Sequence, residues 1–185
     1  MRYPEGHNAS VRASIVAKAA RSLRRDGLAA VSIPALMKKA GLTHGGFYSH
    51  FENRDELVAE AVLAAANETG ERVLSSQMGD LDATLDAYLS CEHVAHPEGG
   101  CVLAALGAEG RTQPAPVKRA FAEAARGFIR FLEVKLHKKS PPGHLSEDAL
   151  LLAAQMIGAV VLARLVDDEC LVERILESAK RKKKA

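Results

Sequence analysis

The sequence has little of what secreted and membrane proteins rely on. It contains three cysteines in 185 residues, and their spacing is neither that of a disulfide framework nor that of a zinc finger, which indicates a reducing compartment. No uninterrupted apolar run reaches the roughly 18 residues that a membrane span needs. The N-terminal segment MRYPEGHNAS lacks the apolar core of a signal peptide. We therefore expect a cytoplasmic protein that does not associate with a membrane.

Motifs of enzyme chemistry are also missing. The sequence has no glycine-rich phosphate loop, no nucleophile elbow and no metalloprotease motif, and its carboxylates are scattered singly. One short stretch groups residue types that can bind zinc, but its spacing fits no closed structural site. Its members are Cys91, Glu92, His93, His96 and Cys101. We therefore expect no catalytic residues, no bound metal and no cofactor.

Charge is unevenly distributed along the chain, although the formal net charge is only +2. Residues 1–55 carry nine Lys/Arg against four Asp/Glu, whereas residues 56–179 carry eleven against nineteen. Five consecutive basic residues follow at 180–184. A basic N-terminal third on an acidic body is the distribution expected of a protein that contacts nucleic acid with one end.

Helical periodicity runs through the whole chain, and no stretch alternates with the period of two that is typical of a strand. The pattern predicts an all-α protein of about nine helices. In the first helix, over residues 10–25, the basic side chains are predicted to face outward, including Arg12 and Arg24. Residues 54–75, 80–96 and 146–165 are each predicted to form one helix, and Asp167 or Asp168 is predicted to start the last.

The stretch 32–51, SIPALMKKAGLTHGGFYSHF, reads as two short helices joined at Gly41. Ser32 can cap the first helix and Thr43 the second, because their hydroxyl oxygens can accept from free backbone N–H groups. Gly45 and Gly46 lie inside the second helix, where each costs about 1 kcal/mol relative to alanine. Close approach of the backbone to DNA would explain them, as in a helix-turn-helix. Close packing of two ordinary helices would explain them as well.

The same region resembles the tetracycline-repressor (TetR) family of bacterial transcriptional regulators from about Val11 to Val62. The matching residues are Gly27, Ser32, Ile33, Ala40, Gly41, Leu42, Thr43, Gly45, Phe47, Tyr48, His50, Phe51 and the run NRDEL at 53–57. Met37 stands where the family usually has alanine, at the crossing of the two helices. Because the methionine side chain is flexible, we expect only a small change in the crossing of these helices.

The resemblance implies a three-helix DNA-binding head, residues 1–55, and a helical body for ligand binding and dimerisation, residues 56–185. It implies a homodimeric repressor that a small-molecule inducer releases from a pseudo-palindromic double-stranded DNA operator. The residues expected to contact phosphates are Ser32, Thr43, Tyr48, His50 and Arg54. Those expected to approach base edges are His44, Gly45 and Gly46.

The helix predicted from Ser146 to Leu165 is apolar nearly all round, so we expect a partner subunit to cover part of it. The predicted interface residues are Leu152, Met156, Ile157, Val160, Val161 and Ile175. A ligand pocket is predicted among the middle helices. Its expected lining is Tyr88, Cys101, Leu106, Phe121 and Phe128.

Two alternatives stay open. Cys101 follows two glycines at a predicted helix N-terminus, where a thiolate is favoured, and the surrounding segment is similar to one in a TetR subgroup with some thiol-based sensors. In that case Cys101 would react first, since Cys91 and Cys170 are predicted on or near apolar helix faces. The other alternative is a helical ligand carrier or enzyme that does not bind DNA.

Overall fold

The computed structural model describes residues 7–29, 31–75, 80–137, 141 and 143–180. Within these ranges all regular structure is helical and none is a strand. The nine α-helices found there are α1 (His7–Asp26), α2 (Ile33–Lys39), α3 (Arg54–Ser75), α4 (Leu81–Tyr88), α5 (Cys91–Ala95), α6 (Val102–Gly110), α7 (Ala115–Leu136), α8 (Glu147–Leu165) and α9 (Glu169–Lys180). Two 3₁₀ helices, His44–Ser49 and Pro97–Gly99, complete the set. The predicted all-α fold is confirmed, and of the basic tail only Lys180 is described.

The N-terminal head packs α1, α2 and the 3₁₀ helix His44–Ser49 around Phe47 and Phe51, whose rings stack with centroids 5.4 Å apart. Gly41, with φ +74°, makes the turn that the sequence predicts. Met37 is fully buried, and a Cβ added at Gly46 would lie 3.9 Å from its Cε. The methionine that departs from the family pattern therefore fits beneath the second helical segment.

Helix α3 joins the head to the body, because it packs on both α1 and α7. Its N-terminus is capped by Asn53, whose Oδ1 accepts from the Glu56 N–H at 3.0 Å. The Glu56 carboxylate in turn accepts from the Glu52 N–H at 2.6 Å. Ser146 and Asp168 cap α8 and α9 by accepting from the N–H groups of Ala149 and Leu171.

The single helix predicted over residues 80–96 is wrong. Helix α4 ends at Tyr88, where Leu89 leaves helical geometry with φ −92° and ψ 58°. Ser90 then starts α5, because its hydroxyl accepts from the His93 N–H at 3.2 Å. Serine favours such caps over helix interiors, and this cap was missed in the sequence.

Helix α8 is long and apolar enough to cross a membrane by length and composition, with mean hydropathy 1.7, and about a third of the window is buried. It is the one such helix among the described residues. The expectation from the sequence that no segment is long and apolar enough to span a membrane was therefore too strict. Gln155 on α8 donates to the carbonyl of Ala179 on α9 at 2.8 Å, so this helix is tied into the body by polar as well as apolar contacts.

Candidate nucleic-acid interface and ligand cavity

The 3₁₀ helix His44–Ser49, here called the recognition segment, is built from local side-chain bonds. Thr43 is its N-cap, as predicted, and accepts from the Gly46 N–H at 3.3 Å. The Ser49 hydroxyl donates to the Gly46 carbonyl at 2.7 Å. These bonds and two adjacent glycines disfavour a regular α-helix, so the segment is a tighter helix than predicted.

The two glycines are not needed for packing against the described residues. A Cβ added at Gly45 would meet none of their atoms within 4 Å, and one at Gly46 would make only ordinary contacts with them. Neither glycine has a positive φ. The helix-packing explanation therefore has no support here, and an approaching surface outside the chain stays as the reason for them.

The predicted DNA-contact side chains lie together around this segment. Tyr48 is 65% exposed, with its ring held edge-on by Phe47 at a centroid distance of 5.3 Å. His44 is exposed beside it, 6.2 Å from Tyr48 between ring centroids. His50 is half-buried, and its Nδ1 has no hydrogen-bond partner among the described residues.

Ser32 and Arg54 differ from expectation. Ser32 holds the N-cap position of α2, but its side chain makes no capping bond, so the predicted cap is wrong and its exposed hydroxyl is available to a ligand. The Arg54 guanidinium donates to the carbonyls of Leu28 and Val31. These bonds fix the start of α3 against the α1–α2 connection, and a phosphate contact by Arg54 stays a prediction.

Arg24 does not face outward as predicted, because its side chain is fully buried between the head and the body. It donates to the Gly100 carbonyl at 2.9 Å and pairs with Glu68 of α3. Thr69, also on α3, donates to the same Gly100 carbonyl at 2.9 Å. A second link joins Glu109 of α6 to the Leu28 N–H at 3.1 Å.

The body contains a cavity of about 410 Å³ between α3, α4, α6 and α7. Three of the five predicted residues line it, namely Tyr88, Cys101 and Phe128. Leu106 is buried outside this cavity, and Phe121 lines a separate groove. The Phe121 ring packs directly on Gly110, since a Cβ added at Gly110 would lie 2.8 Å from the ring. Apolar lining residues that the sequence did not identify are Leu63, Ala66, Leu103, Ala124 and Phe131.

His93 connects two sides of this cavity. Its Nδ1–H donates to the Tyr88 carbonyl at 2.6 Å, and its Nε2 accepts from the Cys101 N–H at 2.9 Å. Because a carbonyl can only accept and an amide can only donate, the ring is neutral with its proton on Nδ1. Burial lowers the pKa of His93 to about 4, so both bonds persist at neutral pH. His93 is therefore unavailable to a metal, and no group of three potential metal ligands occurs among the described residues.

The expected order of thiol accessibility is wrong. Cys101 is buried at the start of α6, whereas Cys91 and Cys170 are exposed. The helix patterns placed the latter two on apolar faces, but the break at Leu89 and the position of α9 at the surface leave both in solvent. A buried thiol reacts slowly, so the premise that Cys101 reacts first is lost.

Two predicted dimer residues also face inward. Met156 and Val160 are fully buried in the core of their own subunit, so they cannot contact a partner. Leu152, Ile157, Val161 and Ile175 are partly buried against that core. The exposed side of α8 is instead formed by a stripe at helical spacing that includes the half-buried Gly158 and four exposed residues, Leu151, Ala154, Leu162 and Leu165.

A basic helical head with an exposed recognition segment, joined to a helical body with a cavity, defines the class of helix-turn-helix DNA-binding proteins. Residues 15–61 match the family model of bacterial regulatory proteins of the tetR family, and residues 78–179 match that of the tetracyclin repressor-like C-terminal domain. The chain belongs to the tetR family, and it is a DNA-binding transcriptional regulator.

Individual relatives agree with this assignment. An uncharacterised helix-turn-helix-type transcriptional regulator of Mycobacterium tuberculosis is 29% identical over 169 residues, which are 85% of this chain and 86% of that protein. A TetR regulator of Chloroflexus aurantiacus has the same fold, with a TM-score of 0.76 and 24% identity over 94% of this chain and 93% of that one. The structure of reduced NemR from Escherichia coli also has this fold, with a TM-score of 0.73. It is 21% identical in sequence and covers 92% of this chain and 93% of that one.

Proposed function

We propose that the protein is a homodimeric repressor that binds a pseudo-palindromic operator and leaves it when a small molecule enters the body. Residues 1–55 would form the DNA-binding domain and residues 56–185 the ligand-binding and dimerisation domain, acting in the cytoplasm. The observation that carries the DNA interface is the pair Gly45 and Gly46, which packing within the chain does not explain. Their missing side chains would let the backbone approach the major groove.

The roles proposed in the head follow from exposure. Tyr48, Thr43 and Ser32 would donate hydroxyl hydrogen bonds to phosphates, which positions the protein without reading sequence. His44, at the exposed first turn of the recognition segment, would contact a base edge. His50 would add a phosphate contact through the exposed part of its half-buried ring, because its Nδ1 is buried.

The dimer interface is proposed on the exposed apolar stripe of α8 and the neighbouring face of α9. Leu162 and Leu165 are 55% and 76% exposed, and a groove between the two helices runs past Gly158 and Leu171. A two-fold related copy of the same stripe would cover these side chains. This burial would also explain why α8 is apolar on the side that faces away from its own core.

The proposed signal runs from the cavity to the head through the Gly100 carbonyl. Thr69 lines the cavity and shares that acceptor with Arg24, which belongs to the head. A ligand that displaces α3 or the start of α6 would move both bonds and change the spacing of the two heads. Ligand and operator would then oppose one another reciprocally.

The DNA roles predict different outcomes for two substitutions. His44→Ala should lose about 1–3 kcal/mol of operator affinity at one base pair per half-site and change random-duplex binding little. Tyr48→Phe should weaken operator and random duplexes alike and leave the salt dependence unchanged, because it removes a neutral hydroxyl and no charge. Fluorescence anisotropy at several salt concentrations measures both.

Arg119→Ala, which removes an exposed basic residue of the body, is the control for general charge effects and should change neither affinity. If His44→Ala weakened operator and random duplexes equally, base reading by His44 would be excluded.

A further inference from the structure

Two buried donor atoms in or near the cavity wall lack a nitrogen or oxygen partner among the described residues. The Tyr88 side chain is 1% exposed and lines the cavity, and its hydroxyl neighbours the Cys101 thiol, which is only a weak acceptor, but has no nitrogen or oxygen partner within the described part of the chain. Arg164 donates to the carbonyls of His93 at 2.7 Å and Val94 at 3.3 Å, but its buried Nη1 has no acceptor in the same ranges. Leaving such groups unpaired costs about 1–3 kcal/mol each, so both point to a missing partner.

The two groups act on the same small region. The Arg164 charge lowers the pKa of the Tyr88 hydroxyl, but burial and the neighbouring Cys101 thiol raise it more, so the net pKa lies well above the ordinary value. The hydroxyl is therefore protonated at neutral pH and can donate. Arg164 can only donate. An oxygen acceptor in the cavity would satisfy the Tyr88 hydroxyl, whereas Arg164 is not among the lining residues and supplies positive charge nearby.

The surrounding charge favours an acceptor over a cation. Arg24, Arg72 and Arg164 all act on the neighbouring His93 and lower its pKa. The carboxylates that line the cavity, Glu71 and Glu123, are exposed at its mouth. A cationic ligand would therefore find no buried counter-charge among the described lining residues, whereas an oxygen with partial or full negative charge would be stabilised.

The apolar part of the cavity indicates the shape of the ligand. Phe128 stacks on Tyr88 with ring centroids 5.4 Å apart, and Phe131 and Leu103 line the same space. A volume of about 410 Å³ is at the small end of the range for organic ligands. One or two planar rings fit such a site and would stack on the Phe128 side.

We propose that the cavity binds a small aromatic molecule that carries a carbonyl or carboxylate oxygen, and that the Tyr88 hydroxyl donates to that oxygen. This inference rests on the proposed function, because it names the ligand class of the same regulatory site. The Tyr88 ring would then form part of the apolar cavity wall, and its hydroxyl would favour ligands that carry a hydrogen-bond acceptor.

Three naphthalene probes of similar size test the proposal on the full chain without DNA. They are 2-acetonaphthone, which has a neutral acceptor, 2-ethylnaphthalene, which has none, and 2-naphthylmethylamine, which is a cation. Isothermal titration should give the ketone roughly threefold to tenfold tighter binding than the hydrocarbon, as one hydrogen bond predicts. The amine should bind more weakly than either.

Tyr88→Phe removes only the hydroxyl and should abolish the preference for the ketone over the hydrocarbon. It should leave the melting temperature of the free protein unchanged or higher, since it removes an unpaired buried group. Tyr48→Phe is the matched control and should keep the preference, because Tyr48 lies in the exposed head.

Three results would overturn the proposal. The ketone could fail to bind at millimolar concentration, or Tyr88→Phe could retain the ketone preference. Tyr88→Phe could also lower the melting temperature while ligand affinities stay unchanged, which would mean that a structural water occupies the polar site. Because binding is measured without DNA, failure of the operator experiments leaves this test intact, and its own failure leaves the DNA interface intact.

Discussion

Leu162→Glu is expected to convert the protein to monomers and to lower operator affinity by about 100-fold or more, because each head then binds one half-site without the other. Two-fold symmetry places the new carboxylate on both sides of the interface, where burial of one large apolar side chain contributes roughly 1.5–3 kcal/mol. Leu162 is 55% exposed in the subunit, so the glutamate would be tolerated in the monomer. Light scattering and anisotropy measure the two effects.

Val134→Glu is the control for that experiment. Val134 on α7 is also an exposed apolar residue, 64% accessible, but it lies outside the α8 stripe. This variant should stay dimeric and bind DNA as the parent does. A dimeric Leu162→Glu protein with full operator affinity would place the interface elsewhere.

Arg24→Met is expected to lower the free energy of unfolding by about 3 kcal/mol, the lower end of the range for breaking a buried pair. The side chain is fully buried, and its loss would leave the Gly100 carbonyl with one donor fewer and Glu68 without its closest cation. Glu68 is 34% exposed, so water can hydrate its carboxylate and keep the cost from being larger. The melting temperature should fall by roughly 6–12 °C.

Arg21→Met provides a matched comparison, because Arg21 approaches the same Glu68 at 3.8 Å from a position that is 69% exposed. Exposed pairs contribute at most about 1 kcal/mol, so this variant should melt close to the parent. Equal losses for the two variants would mean that burial of Arg24 contributes nothing to stability.

Local signals in the sequence agree with much of the local structure, although the cap predicted at Ser32 does not form. The caps at Thr43, Asn53, Ser146 and Asp168 form because each depends on a side chain and an N–H group a few residues away. The turn at Gly41 likewise depends on one residue. The 3₁₀ geometry of the recognition segment was not predicted. Two glycines weaken the preference for an α-helix, but they do not indicate which other conformation forms instead.

Long-range contacts explain what the sequence could not show. Helix α8 is apolar nearly all round, so periodicity could not separate Met156 and Val160, which face the core, from Leu162, which does not. A basic residue in an amphipathic helix is normally exposed. Two distant partners, the Gly100 carbonyl 76 residues away and Glu68 44 residues away, explain the burial of Arg24. The exposure of Cys91 depends on the break between α4 and α5, which the sequence pattern concealed.

The most direct test of a sequence-specific regulator is binding of the full chain to fragments of its own chromosomal region in excess random competitor DNA. We predict that a fragment with an inverted repeat stays bound, with one dimer per site, and that His44→Ala reduces its retention selectively. If all fragments bound equally and competitor removed them together, the protein would not recognise a specific DNA sequence, which would contradict its role as an operator-binding repressor.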